Sequence, residues 1–150
     1  TDWHFDNDRI GIRKTEVGTF GNNAYLVVCR ETNTSLIVDA AADPDRVVDL
    51  AAGTRAVAIL TTHGHADHVG AARSVAATLE VPIWLHAADW GICPITPDGG
   101  LVPGRLALGA HLATTSADVI TRTSSLGDPS ARVPQESLLT TPGRDLPRPR

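Results

Sequence analysis

Ala56-Val57-Ala58-Ile59-Leu60-Thr61-Thr62-His63-Gly64-His65-Ala66-Asp67-His68-Val69-Gly70 is the stretch on which the reading of this chain turns. Its first five residues are apolar without interruption, as expected of a strand covered on both faces. A polar turn follows at Thr61, and three of the chain's six histidines then fall within six residues. From this composition an H-x-H-x-D-H string arises by chance roughly once in a thousand such chains. In extended backbone, residues two apart point the same way, so His63 and His65 can offer two imidazoles to one ion. Asp67 and His68, about one turn further on, can face a second. Nitrogen and carboxylate donors without thiolate suit zinc (one or two ions), and also iron or manganese. Such an ion lowers the pKa of bound water to about 7 and gives hydroxide at neutral pH. The plainer alternative is a polar surface loop that happens to be rich in histidine.

The flanking sequence places this cluster in an α/β domain. A helix is expected from about Asp67 to Leu79, with Val69, Ala72, Val75, Ala76 and Leu79 on one stripe and Arg73, Ser74 and Thr78 off it. Val81 to Leu85 reads as the next strand, with Pro82 near its start where a missing N–H does least harm. Upstream, Ile10 and Ile12 alternate with polar neighbours, Ala24 to Cys29 is a short apolar run, and Ser35 to Val38 is another, which together suggest three antiparallel strands. Asp43 before Pro44 reads as an N-cap with proline in the first turn, and Val47, Leu50 and Ala51 carry a short helix until Gly53 stops it. The order strand, helix, strand, helix, strand over residues 35–86 is an α/β pattern, and the His cluster sits where a buried strand hands over to a helix.

Thr61-Thr62-His63-Gly64-His65-Ala66-Asp67-His68-Val69-Gly70 resembles the signature motif of the metallo-β-lactamase superfamily, and of its glyoxalase II-like hydrolases in particular. Asn23-Ala24-Tyr25-Leu26-Val27 is similar to an early strand of that family, Leu36-Ile37-Val38-Asp39 to its strand ending in a buried aspartate, and Pro82-Ile83-Trp84-Leu85-His86 to the strand after the metal-loop helix. The resemblance covers roughly residues 10–109. It implies an αββα sandwich with His63 and His65 on a first metal, Asp67 and His68 on a second, and Asp39 supporting the loop from behind, although Asp39 also reads as a plain strand-end residue. It implies a hydrolase in which metal-bound hydroxide attacks a thioester, ester or related bond of a small molecule, with Asp67 catalytic as well as a ligand. Mononuclear iron members that oxidise persulfides carry the same string, so an iron-dependent persulfide dioxygenase is the alternative reaction.

The rest of the chain departs from that pattern. The family completes the first site with a later histidine, usually in Thr-Pro-Gly-His, where this chain has Thr141-Pro142-Gly143-Arg144, and arginine does not deprotonate to become a ligand. His111, Asp118, Asp128 and Asp145 are the later candidates, none in a family-like setting. His86 reads as a cap of a strand or helix, and His4 lies in a polar terminus. All six aromatic residues precede residue 91, while eight of the ten prolines follow residue 93. After Gly91 only Leu106 to Leu108 looks like a strand. We therefore expect residues 1–109 to form the N-terminal part of the domain and residues 110–150 an irregular, poorly ordered tail, the chain being truncated, frameshifted or divergent after about residue 110. On that view it could be a non-catalytic metal-binding remnant, and an uncovered apolar sheet face would favour self-association.

Length and composition bound the remainder. One hundred and fifty residues suit one domain, and 42% apolar with 20% charged residues is a globular balance. A net charge of -4, with basic residues scattered along the chain, gives no basic patch for nucleic acid. No apolar run is long enough to span a membrane, and no secretory signal is visible at Thr1, so a cytoplasmic location is expected. The chain has no methionine, which fits either removal of an initiator ahead of Thr1 or a fragment. Cys29 and Cys93 lack metal or redox spacing and read as small buried hydrophobes.

Overall fold

The computed structural model describes residues 3–101, 104–108, 111–115 and 139–140. Its frame is an eight-stranded mixed sheet in the order β1-β2-β3-β4-β5-β6-β7-β10. The strands are β1 (Phe5–Asp6), β2 (Ile10–Val17), β3 (Asn22–Cys29), β4 (Thr34–Val38), β5 (Arg55–Thr61), β6 (Ile83–His86), β7 (Gly99–Leu101) and β10 (Leu139–Thr140). β2, β3 and β4 pair antiparallel in register, as the upstream alternation leads one to expect. β4, β5, β6 and β7 are then parallel neighbours. Parallel pairs need crossovers, supplied by helix α1 (Pro44–Leu50) between β4 and β5 and by α2 (Ala66–Val69) and α3 (Ala72–Leu79) between β5 and β6. A separate hairpin joins β8 (Gly104–Leu108) to β9 (His111–Thr115).

Helices α1 and α3 lie together on one face of the sheet. There Val47, Leu50, Val75 and Ala76 bury against Val17, Leu26, Val28, Ile37, Ile59 and Ile83. The opposite face has its own buried cluster of Cys29, Leu36, Val57, Ala58, Trp84, Leu101 and Leu108, the last contributed by β8. The apolar run of β5 is thus buried on both sides, since Ala58 and Ile59 are both fully inaccessible. Cys29 is buried and Cys93 half-buried, and they form no disulfide.

Three sequence expectations need correction. The helix expected over 67–79 is broken at Gly70-Ala71 into α2 and α3. The break follows from a neighbouring segment: Ala71 N–H donates to the Ala40 carbonyl at 2.9 Å and Ala40 N–H to the His68 carbonyl at 3.4 Å, so helix groups bond across to Ala40. Gly70 lies so close to that segment that a Cβ on it would sit 2.5 Å from the Ala41 carbonyl oxygen. Asp43 stands at the N-cap of α1 but makes no side-chain cap, because its backbone is left-handed (φ 48°). Its carboxylate instead accepts the Gly18 N–H at 2.9 Å, tying down the β2–β3 turn. Strand also occurs after Gly91 beyond Leu106–Leu108: the glycine-rich Gly99–Leu101 pairs with β6, and His111–Thr115 and Leu139–Thr140 pair as β9 and β10. The remainder of the 110–150 segment read as a poorly ordered tail lies outside the described residues, as do Asp118, Asp128, Arg144 and Asp145.

Candidate metal centre

Three parallel neighbours end at the same edge of the sheet, and each delivers one piece of the site there. β4 runs into Asp39, β5 into Thr62 through His68, and β6 into the short 3-10 turn Ala87–Asp89. The carboxyl edge of parallel strands is where open α/β sheets ordinarily place ligands. Asp39 is buried, at 6% exposure, and its backbone is left-handed (φ 60°). That conformation costs a non-glycine residue about 1–2 kcal/mol, least for Asp and Asn, and here it turns the carboxylate back toward the end of β5.

The carboxylate of Asp39 accepts three hydrogen bonds. Oδ1 takes the Thr62 N–H at 2.8 Å, and Oδ2 takes the Thr62 hydroxyl at 2.8 Å and the Nδ1–H of His68 at 3.0 Å. With its proton committed to Asp39, the Thr62 Oγ1 can only accept from Nδ1 of His63, 3.2 Å away. One carboxylate therefore fixes the tautomer of two imidazoles, directly for His68 and through Thr62 for His63. Both rings are left presenting Nε2, the arrangement that orients histidine as a metal ligand. The two rings lie 3.9 Å apart between centroids, and His65 stands edge-on to His63 at 4.8 Å.

Asp67 completes the cluster. Its Oδ2 lies 3.7 Å from His68 Nε2, and its backbone carbonyl accepts from the Asn22 side chain, which fixes the start of α2 to β3. One ligand atom each from His63, Asp67 and His68 falls within 4.8 Å of the others. Tetrahedral bonds of about 2.0–2.1 Å need donors roughly 3.3 Å apart, and rotation of the exposed Asp67 side chain is the adjustment open to the cluster. The donor set is imidazole nitrogen plus carboxylate oxygen, so the residues present fit a divalent ion. Of the expected ligands the structure gathers His63, Asp67 and His68 into one cluster and leaves His65 at its border, exposed and in ring contact with His63.

The electrostatics differ between the rings. Burial, then the neighbouring His68, lowers the pKa of His63 below its ordinary value and favours the neutral form that binds metal. The hydrogen bond to Asp39 raises that of His68. His86 is a cap, as its sequence position suggests: its Nδ1 accepts the Ala88 N–H at 3.3 Å at the start of the 3-10 turn, and burial lowers its pKa. Two participants are not evident from sequence. Asn22 lies in β3, and Asp89, only 1% exposed, accepts the Gly64 N–H at 3.0 Å. The only sequence signal for Asp89 is its place just after a buried strand.

Residues 17–128 match the family model described as the metallo-beta-lactamase superfamily. The chain is 27% identical over 78 residues to an uncharacterised protein of Aquifex aeolicus, a match covering 52% of this chain and 37% of that one. It is 38% identical over 72 residues to the hydroxyacylglutathione hydrolase of Anaeromyxobacter dehalogenans, covering 47% of this chain and 28% of that enzyme. The matched region is thus about a third of either relative's length. Among solved structures, the BLEG-1 B3 metallo-beta-lactamase superposes with a TM-score of 0.61 at 23% identity, covering 69% of this chain and 59% of that one. TTHA1623 in a di-iron-bound form gives 0.55 at 27% identity, covering 65% and 57%. ETHE1 from Myxococcus xanthus gives 0.54 at 16% identity, covering 67% and 45%.

Proposed function

The chain belongs to the metallo-β-lactamase superfamily, and from that premise we propose that it is a metal-dependent hydrolase of the glyoxalase II-like kind, acting on a thioester, ester or related bond of a small molecule. The observation that carries this reading is the Asp39 network, which commits Nδ1 of both His63 and His68, leaves Nε2 of each to a ligand, and stands in one cluster with the Asp67 carboxylate. A loop of incidental histidines has no need of such an arrangement. The 38% identity to a hydroxyacylglutathione hydrolase favours a thioester among the candidate bonds.

In this reading His63 and His65 hold one ion and Asp67 and His68 a second, with zinc the first expectation. When bound, such an ion supplies Lewis acidity: it makes water a usable nucleophile near neutral pH and polarises the scissile carbonyl. Asp67, whose side chain is 47% exposed, is the carboxylate placed to accept a hydrogen bond from the attacking water and orient it. Asp39 stays behind the rings and keeps them aimed. Among the described residues no helix is long and apolar enough to cross a membrane. We also propose self-association through the sheet face opposite α1 and α3, where Tyr25, Val38 and Leu60 form a partly buried row across three paired strands. A concentration-independent monomer in sedimentation velocity removes that idea.

The test is metal content and turnover of the purified chain. We expect at least one equivalent of zinc, iron or manganese, lost in the His63→Ala plus His65→Ala double variant, and hydrolysis of a hydroxyacyl thioester of glutathione. Metal content unchanged by that double variant overturns the reading, and bound metal without turnover of any ester, thioester or persulfide identifies a non-catalytic remnant. Iron is the second reading of the metal, favoured by the di-iron form of a neighbour at 27% identity. If iron is bound, oxygen uptake with a persulfide substrate distinguishes a dioxygenase from a hydrolase.

A further inference from the structure

We propose that Asp89 is a positioning residue of the metal loop: its carboxylate holds Gly64 in place and so sets how His63 and His65 are presented. The role rests on reading His63 to His68 as a metal centre. Asp89 is 1% exposed, and its Oδ2 accepts the Gly64 N–H at 3.0 Å in a buried bond. Gly64 is pressed onto the same residue, since a Cβ there would lie 2.7 Å from the Asp89 carbonyl oxygen and 3.2 Å from the Cβ of Cys93. Asp89 is itself held. The turn that carries it is capped by His86, its carbonyl accepts the N–H groups of Ile92 and Cys93, and Trp90 Nε1 donates to the Leu85 carbonyl.

Two features separate this from ordinary loop anchoring. The second oxygen, Oδ1, is buried and has no hydrogen-bond partner among the described residues. Among the described residues the hydrogen bonding of this buried side chain therefore goes to Gly64 alone, so the desolvation cost of the position is offset only by its grip on the metal loop. The second feature is symmetry about His63. Asp39, from the strand on one side of β5, grips Thr62, and Asp89, from the strand on the other side, grips Gly64. The residues immediately before and after the first histidine are thus fixed by carboxylates from opposite neighbours. The free rotation that Gly64 would otherwise allow between His63 and His65 is removed.

Cobalt(II) binding to the full chain tests this, read as the ligand-field spectrum and as affinity by competition, with thermal melting of the metal-free protein alongside. We expect Asp89→Ala to weaken cobalt binding by roughly 10–100-fold with an altered spectrum, and Asp89→Asn, which keeps an acceptor for Gly64, to stay within about threefold of wild type with the native spectrum. Wild-type affinity in Asp89→Ala, or Asp89→Asn as weak as Asp89→Ala, overturns the proposal. Should Asp89→Ala not fold, amide exchange of Gly64 in the wild-type metal-free protein decides: a protected amide supports the clamp and an unprotected one overturns it. A wild-type chain that binds no cobalt while Gly64 remains protected overturns the metal-centre reading, and with it this role, but leaves the clamp standing as a structural contact.

Discussion

Asp39 and His68 meet at 3.0 Å between Oδ2 and Nδ1, and the same carboxylate grips Thr62 through both its N–H and its hydroxyl. A single side chain at the end of β4 thereby shapes the loop at the end of β5. Asp39→Asn keeps one acceptor and tolerates the left-handed backbone, but loses the charge that holds Nδ1–H of His68. The expected outcome is a metal affinity lower by roughly 10–100-fold with thermal stability little changed. Asp39→Ala strands the Thr62 N–H and puts alanine at a positive φ, for a loss of about 2–4 kcal/mol. Metal titration and thermal melting of the two variants separate the effects, and equal metal affinity in Asp39→Asn and wild type would count against the orienting role.

The proposed division of ligands between two ions makes a stoichiometric prediction. His63 and His65 flank Gly64, while Asp67 and His68 lie in the first turn of α2, with His68 against the His63 ring. If two ions bind, His63→Ala plus His65→Ala and Asp67→Ala plus His68→Ala should each remove one equivalent and leave the other. If one ion bridges the cluster gathered by His63, Asp67 and His68, either pair of substitutions should abolish binding. Elemental analysis after dialysis against trace metal distinguishes the cases, and retention of full stoichiometry in either double variant contradicts both.

Gly70 offers a test of why the expected long helix breaks. Its backbone is ordinary right-handed helix (φ -56°, ψ -34°), so alanine there would by propensity alone stabilise by about 1 kcal/mol. The Ala41 carbonyl oxygen, 2.5 Å from where the Cβ would stand, reverses the sign. Overpacking against backbone typically costs about 1–3 kcal/mol, which for a domain of this size lowers Tm by roughly 2–12 °C. Gly91→Ala, with nothing within 4 Å of its Cβ position, is the control and should leave Tm nearly unchanged. Equal melting temperatures for both variants would show that the 40–41 segment yields freely.

The succession of strands and helices around the candidate site was legible because local pattern and tertiary role coincide there. The unbroken apolar run at Ala56 to Leu60 needs two covering layers and has them, and the H-x-H-x-D-H spacing brings His63, Asp67 and His68 together at a strand end. What sequence concealed depends on partners distant along the chain. The long-helix reading fails at Gly70 because the Ala40 and Ala41 carbonyls, some thirty residues earlier, compete for space and hydrogen bonds. Asp43 looks like an N-cap in its own window and serves Gly18 instead. Gly99-Gly100 reads as a turn, yet it pairs beside Trp84 and Leu85 in a parallel strand whose backbone bonds do not depend on side-chain preference. Asp89 has no motif of its own, since its role exists only once β5 and β6 lie side by side.

His86 gives the pH prediction. It is 5% exposed, and its Nδ1 works as an acceptor for the Ala88 N–H, a role only the unprotonated ring can fill. Burial lowers its pKa below the ordinary value of 6.5, with the Asp89 carboxylate pulling the other way by a smaller amount. Because the folded value lies below the unfolded one, the unfolded chain binds the proton first as pH falls. The stability contributed by neutral His86 is therefore complete above about pH 6.5 and is lost as pH drops through its folded value. In the metal-free protein, thermal melts from pH 7.5 down to pH 5 should show a decline that is shallower in His86→Gln, whose side-chain oxygen can take the same cap without titrating. Parallel profiles for the two proteins would place the pH sensitivity elsewhere. Because the turn capped by His86 also carries Asp89, the same acid step should loosen Gly64, and the exchange rate of its amide relative to that in His86→Gln provides an independent reading of the link.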